Sequence, residues 1–290
     1  VIMSEISRIC DHLTCIGASA MELGAFTVFL YMIKAREYLW ELVEDVTGAR
    51  LTISYARVGG VKADLPDGFG LKMRKAFKET RQVLEEVGKL LTGNRIFMDR
   101  MVGVGALSRE ETIAYAITGP LLRAAGVSYD VRRAQPYWAY DHVEFEIPTG
   151  RNGDNYDRYL VRMAEMEQSM RIVEQALDAL PGGPINVDWA GRAIDPASYV
   201  DLGKQGKTEG LLLIPITLSP NLAGLERPVH RAVNVADKRV VLPPKEDTYG
   251  SIEGLMNHFM LIMDGSGIRP PKGEAYFAVE GANGELGFYI

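Results

Sequence analysis

Glu5, Arg8, His12, Cys15, Ser19 and Glu22 follow one another at steps of three and four residues, so in a helix they share one face. Such a face can carry charge at both ends and hydrogen-bonding groups between them. Its last member is the odd one, because in GASAMELGAFT, residues 17–27, Glu22 is the single carboxylate among small and apolar neighbours. An isolated carboxylate out of water is costly unless it is protonated or partnered. The stripe thins from full charges to Cys15 and Ser19 before Glu22, so the expectation is that it leaves water and carries Glu22 inside, where a carboxyl group can exchange protons near neutrality. Ala18, Ser19, Ala20, Gly24 and Ala25 leave room for a second backbone or a ligand. The competing reading is the water-facing stripe of an amphipathic helix.

The elements that must hold this face follow from periodicity and punctuation. Residues 4–46 are helical in pattern, with breaks possible at Gly17 and Gly24 and a stop at TGAR, residues 47–50, giving one long helix or two end to end. Residues 51–69 combine β-branched residues with a Gly pair and Pro66, the signature of an extended segment entering a loop. Further helices are expected over 71–91, 94–101, 108–117 and from Asp154 to before LPGGP at 180–184, with Ser108 and Glu111 spaced as a capping box. The alternation in HVEFEI at 142–147 predicts a strand. Residues 185–249 break into short apolar runs among Gly and Pro, an irregular β insertion; a helix over 251–263 and a hairpin centred on GANGEL complete the chain. The expected organisation is therefore a helical core over 1–184, an insertion over 185–249 and a helix plus hairpin over 250–290 that packs on the core.

Composition excludes several classes. Of 290 residues 47% are hydrophobic and 24% charged, with a net charge of −6, which suits a globular fold and offers no basic stripe for nucleic acid. Cys10 and Cys15 lack metal-site spacing. Residues 13–33 are long enough to span a bilayer, but Glu22 lies inside the run and Lys34, Arg36 and Glu37 follow at once; a buried helix is preferred. The chain starts at Val1 and stops in a strand-like GELGFYI, the expectation being a piece of a longer protein.

Six blocks in order, SEISRICDHL with IGASAMELGAFT, LYMIKARE, TGARLTISYARVGGVKADLP, LLRAAGVSYDVRRAQPY, GDNYDRYLVRMAEMEQS and RPPKGEAYFAVEGANGELGFY, resemble the D-type subunit of the proton-pumping NADH:quinone oxidoreductase, complex I, a family related to the large subunits of nickel–iron hydrogenases. They cover about 1–182 and 250–290. The resemblance implies an α+β fold, mainly α: a long-helix bundle with small peripheral β elements, of the hydrogenase large-subunit kind. It implies a peripheral position on the cytoplasmic face of the inner membrane, between the membrane arm and other peripheral-arm subunits. One neighbour would be an iron–sulfur partner subunit with a tetranuclear cluster. Quinone is reduced in the cavity between the two, and this chain itself holds no cofactor and binds no nucleic acid.

Glu22 stands where the family has an acidic residue, commonly Asp, paired with a histidine from an N-terminal loop; the resemblance makes it a proton donor to quinone, displaced by one methylene, about 1.5 Å. It likewise places Ser19, Arg50, Thr52, Arg57, Gly59, Gly60 and Glu285 beside the quinone cavity or the cluster. Thr52 stands where many members carry histidine, which implies a cluster potential with little pH dependence. Arg123, Asp130 and Arg132 match charges that fix the fold, Asp157 suits a helix N-terminus, and Arg158 needs a carboxylate partner. Tyr129, Tyr137, Trp138 and Tyr140 form either core or interface. Two other readings stay open: a membrane-bound nickel–iron hydrogenase large subunit, its two CxxC pairs flanking this segment, and a helical scaffold without catalysis.

Overall fold

A computed structural model describes residues 1–57, 60–186, 252, 255–256 and 273–290. The chain forms two compact units: residues 1–53, 65–181 and 274–290 make the first, residues 54–64 and 182–273 the second. The expected boundary at 184 therefore differs at 54–64, which cluster with the later segment rather than with the helical core.

Four long helices frame the first unit: α1 (Ile2–Glu22), α2 (Phe26–Thr47), α3 (Phe69–Leu91) and, after four short ones, α8 (Asn155–Asp178). α1 packs on α2 and α8, and α3 packs on α2 and α8. Ile6, Ile9 and Leu13 of α1, Met32, Ala35 and Leu39 of α2, Met73 and Phe77 of α3, and Met166, Met170 and Val173 of α8 are all fully buried; their three- and four-residue steps give each helix one apolar face. Gly24, in the left-handed region at φ +92°, lies in the turn between α1 and α2. Gly17 does not break α1. A Cβ there would sit 3.1 Å from Met32 Cβ, so this glycine sets how closely the two helices approach, and they fold against each other rather than running end to end.

The short helices are α4 (Arg95–Met101), α5 (Arg109–Ala114), α6 (Gly119–Ala124) and α7 (Val131–Ala134). The expected capping box is present at α5, where Glu111 N–H donates to Ser108 Oγ and Ser108 N–H to Glu111 Oε2. His142 closes a short 3-10 helix, Tyr140–His142, and the rest of HVEFEI, residues 143–147, pairs with no strand among the described residues. Val143 and Phe145 point inward, as alternation predicts, while side-chain amides of α8 take the place of a ladder: Glu144 N–H donates to Gln175 Oε1 at 2.8 Å and Glu146 N–H to Gln168 Oε1 at 3.0 Å.

Strands β3 (Tyr276–Gly281) and β4 (Gly284–Tyr289) form the expected hairpin, with Glu280 opposite Glu285. Its tip interlocks with α6. Gly119, at φ +73°, has no room for a Cβ, which would fall 2.5 Å from Asn283 O and Gly284 Cα. In the second unit β1 (Ala56–Arg57) pairs antiparallel with β2 (Gly60–Val61), and Gly60 also bridges to Asn186. The body of the 185–249 insertion and most of the 251–263 helix lie outside the described residues; residues 252, 255 and 256 are helical. Among the described residues no helix is long and apolar enough to cross a membrane.

Gly119→Ala in the full-length protein is expected to lower the thermal midpoint by several degrees, since a strained backbone costs about 1–3 kcal/mol and each kcal/mol shifts a domain of this size by about 2–4 °C. Gly93→Ala, where a Cβ meets nothing within 4 Å, should leave the midpoint in place. Equal midpoints for both variants in a calorimetric scan would contradict the interlock.

Candidate functional site

The first half of the polar stripe is where the fold concentrates charge. Glu5, Arg8 and His12 of α1, Arg123 of α6, Asp130 and Arg132 around the start of α7, Glu165 of α8 and Glu280 of β3 are each at most 4% exposed. Arg123 Nε donates to Glu165 Oε1 at 2.6 Å and its Nη1 to Glu280 Oε1 at 2.9 Å. Arg132 reaches both oxygens of Glu5 at 3.1 and 3.0 Å and clamps Asp130 at 2.6 Å. Arg8 donates to Glu5 Oε2 at 3.2 Å and to the carbonyls of Glu280 and Gly281, each at 2.6 Å. Tyr140 Oη donates to Glu5 Oε1 at 2.6 Å. Burial acts to raise Glu5 and Glu165, but Arg8 and Arg132 hold the first at about 2, and His12 and Arg123 hold the second at about 2.

His12 Nε2 lies 2.8 Å from Glu165 Oε2, whereas Nδ1 is buried with no partner. A doubly protonated ring would strand a buried N–H, and burial lowers the His12 pKa, so the ring is neutral with its Nε2–H donated to Glu165. Four carboxylates thus face three guanidiniums. The excess negative charge falls on Glu280, whose pKa rises through burial and the neighbouring Asp130.

The second half of the stripe runs opposite to expectation. Glu5, Arg8 and His12 are buried, Cys15 is intermediate, and Ser19 and Glu22 are exposed: the stripe leaves the interior on its way to Glu22. What lies beside Glu22 is a cleft of about 450 Å³, a volume typical of small-molecule sites. Ile16, Ser19 and Glu22 of α1, Phe97 and Met101 of α4, Leu121 of α6, and Asn155, Arg158, Tyr159 and Arg162 of α8 line it. α4 is tied to the turn after Glu22 by Arg100 Nη1, 2.6 Å from Leu23 O. Arg158 has no carboxylate partner among the described residues; it donates to Asn155 Oδ1 at 2.8 Å and to the carbonyls of Gly105 at 2.6 Å and Gly153 at 2.9 Å. Burial and the adjacent Arg162 lower its pKa.

Of the residues named from the sequence, the cleft gathers Ser19 and Glu22. Ser19 Oγ turns back to Cys15 O at 2.8 Å. Arg50, past the end of α2, pairs on the surface with Glu44 at 2.7 Å and with Glu37; Thr52 is exposed; neither lines the cleft. Glu285 accepts from Tyr129 Oη at 3.0 Å and Tyr276 Oη at 2.5 Å. Arg57 and Gly60 belong to the second unit, and Gly59 lies outside the described residues. Tyr137 and Tyr140 are core, whereas Trp138 is 63% exposed. Glu165 and Glu280 escape a reading by motif, although a signal exists: Glu165 falls in step with the buried Val161, Ser169 and Ile172, and Glu280 alternates with the buried Ala278. Among the described residues no group of three or more His, Cys, Asp or Glu side chains is arranged to hold a metal ion.

The architecture is of the α+β, mainly helical class expected. Residues 22–208 and 223–290 match the family described as respiratory-chain NADH dehydrogenase, 49 Kd subunit, and the chain belongs to that family. A D-type subunit of NADH-quinone oxidoreductase from Myxococcus xanthus (strain DK1622) is 44% identical over the whole chain, which covers 58% of that protein. A D-type NADH-quinone oxidoreductase subunit of Anaeromyxobacter sp. (strain K) is 45% identical over the whole chain and 56% of its own length. In Bdellovibrio bacteriovorus a C/D-type NADH-quinone oxidoreductase subunit is 42% identical, with 43% of it covered. The chain therefore spans little more than half the length of the D-type relatives.

Acid should unfold this protein through the charge cluster. An unfolded chain takes up protons at its carboxylates near pH 4.5 and at His12 near 6.5, whereas folded Glu5 and Glu165 wait until about 2 and folded His12 titrates below its ordinary value. Glu280, with its raised pKa, contributes in the opposite sense, but three groups outweigh one, so stability is expected to fall as pH drops from 6.5 towards 2, read as a urea midpoint that declines between pH 7 and 4. Arg123→Gln, which leaves three carboxylates short of a cation, should cost about 3–5 kcal/mol at pH 7 and flatten that decline. A midpoint that holds constant or rises on acidification would be inconsistent with the cluster as described.

Proposed function

We propose that this chain is part of the subunit that, with an iron–sulfur partner subunit, forms the quinone-reduction cavity of a respiratory NADH:quinone oxidoreductase, and that Glu22 donates protons there. The reading rests on family membership together with one observation: the carboxylate that matches the family's acidic position stands at a cleft of ligand size. Quinone takes up two electrons and two protons to become quinol. The electrons come from NADH through the partner's tetranuclear iron–sulfur cluster, and the protons need donors placed at the ring oxygens. Glu22, open to the cleft and to water, can relay a proton from water to such an oxygen. Ser19 lines this cleft, and the family resemblance assigns Arg50, Thr52, Arg57, Gly59, Gly60 and Glu285 to the cavity or to the face toward the cluster-bearing neighbour. The protein then sits peripherally on the cytoplasmic face of the inner membrane, against the membrane arm and other peripheral subunits.

In membranes carrying the full-length protein, Glu22→Gln should slow NADH-driven quinone reduction by about 100-fold or more, the usual effect of losing a positioned acid, while ferricyanide reduction, which bypasses the cavity, persists; Glu22→Asp should retain most of the rate. Unchanged quinone reduction in the glutamine variant would remove Glu22 from the chemistry.

A further inference from the structure

The cleft beside Glu22 carries positive charge that the proton-donor reading does not use. The three buried arginines of the first unit, Arg8, Arg123 and Arg132, are each matched to carboxylates within 3.2 Å. Arg158 and Arg162, one turn apart on α8 and both lining the cleft, meet no carboxylate among the described residues, and the Nε of each is buried without a partner. Arg158 is fixed by carbonyl oxygens on both amino groups. Arg162 is not: among the described residues its one hydrogen bond is a long 3.3 Å contact to Arg158 O, which leaves most of its N–H donors without an acceptor there. Two half-buried cations side by side, matched by no acid among the described residues, favour an oxygen-rich or anionic occupant. The remaining wall is apolar and aromatic, with Phe97 and Tyr159 edge to face at 5.2 Å, and suits a flat ring.

We propose that Arg162 holds an oxygen of the quinone head in this cleft, with Arg158 as fixed backing charge and Phe97, Met101 and Tyr159 as the wall for the ring. This rests on the quinone-reduction reading above. As quinone accepts two electrons from the iron–sulfur carrier and two protons become bound, negative charge passes through the ring oxygens. A guanidinium already in place stabilises that charge without reorganisation, and Glu22 on the same cleft supplies a proton.

The test uses the assembled complex and decylubiquinone, with ferricyanide as the electron acceptor that bypasses the cavity. Arg162→Gln is expected to raise the KM for decylubiquinone about tenfold, the loss of one charged hydrogen bond, with Arg162→Lys recovering part of it and the ferricyanide rate unchanged. Ser19→Trp, which fills the cleft from an exposed position, should raise the KM as well, and it decides the matter alone if Arg162→Gln fails to assemble. A KM left unchanged by Ser19→Trp, or by an assembled Arg162→Gln, overturns this placement. Should Glu22→Gln still impair quinone reduction in that case, the proposed function stands without it; a native complex that reduces no quinone brings down both.

Discussion

A guanidinium with no access to water is tolerated only where its charge is matched, and Arg123 imposes that condition on the helical unit. Its partners come from α8, from β3 and from the segment leading into α7, so satisfying it requires three separate stretches of chain to meet α6. Glu280 reaches the cluster only if the hairpin docks. The hairpin docks only because Gly119 and Gly284 leave no side chain between its tip and α6. Backbone conformation and buried charge therefore enforce the same arrangement from two sides, and α1 is drawn in through Glu5 and His12.

The same condition explains how α1 and α8 divide their labour. Near Glu5, His12 and Glu165 the two helices share buried charge and are held in register by it. Towards Glu22 and Arg158 no such charge pair joins the two helices among the described residues, and both line the cleft. α8 thus presents a saturated acid on its inner face and, one and two turns earlier, two cations that meet no acid among the described residues. A rigid base with an open end suits a binding site, because the walls are positioned by interactions that the ligand does not disturb.

Much of the frame is legible in the residues. Helix periods, the Ser108–Glu111 capping box and the GANGEL hairpin all follow from local chemistry, and local chemistry decides them. Sequence reading fails where distant partners decide. A glycine in mid-helix reads as a break until Met32 is seen against it, and Gly17 is instead a contact. HVEFEI alternates like a strand, yet its backbone is satisfied by glutamine side chains more than twenty residues away. Thinning charge along α1 suggests descent into the core, but Glu5 and Arg8 are tolerated inside only through Arg132 and Glu280, whose nearness no spacing reveals. Likewise, Arg158 meets carbonyls in place of the expected carboxylate, since Gly105 and Gly153 reach it only through the path of the loops before α8.

The extended stretch at 143–147 has a further consequence. Glu144 and Glu146 turn their N–H groups to α8, and on the opposite side the carbonyl of Phe145 accepts from Arg133 Nη2 at 2.7 Å. Both margins of a strand-like segment are thus occupied by side chains from its own fold. An exposed ladder is a template on which a foreign strand can grow, and here that template is filled before another chain could reach it. An alternating, β-prone sequence is in this way kept from nucleating association between copies.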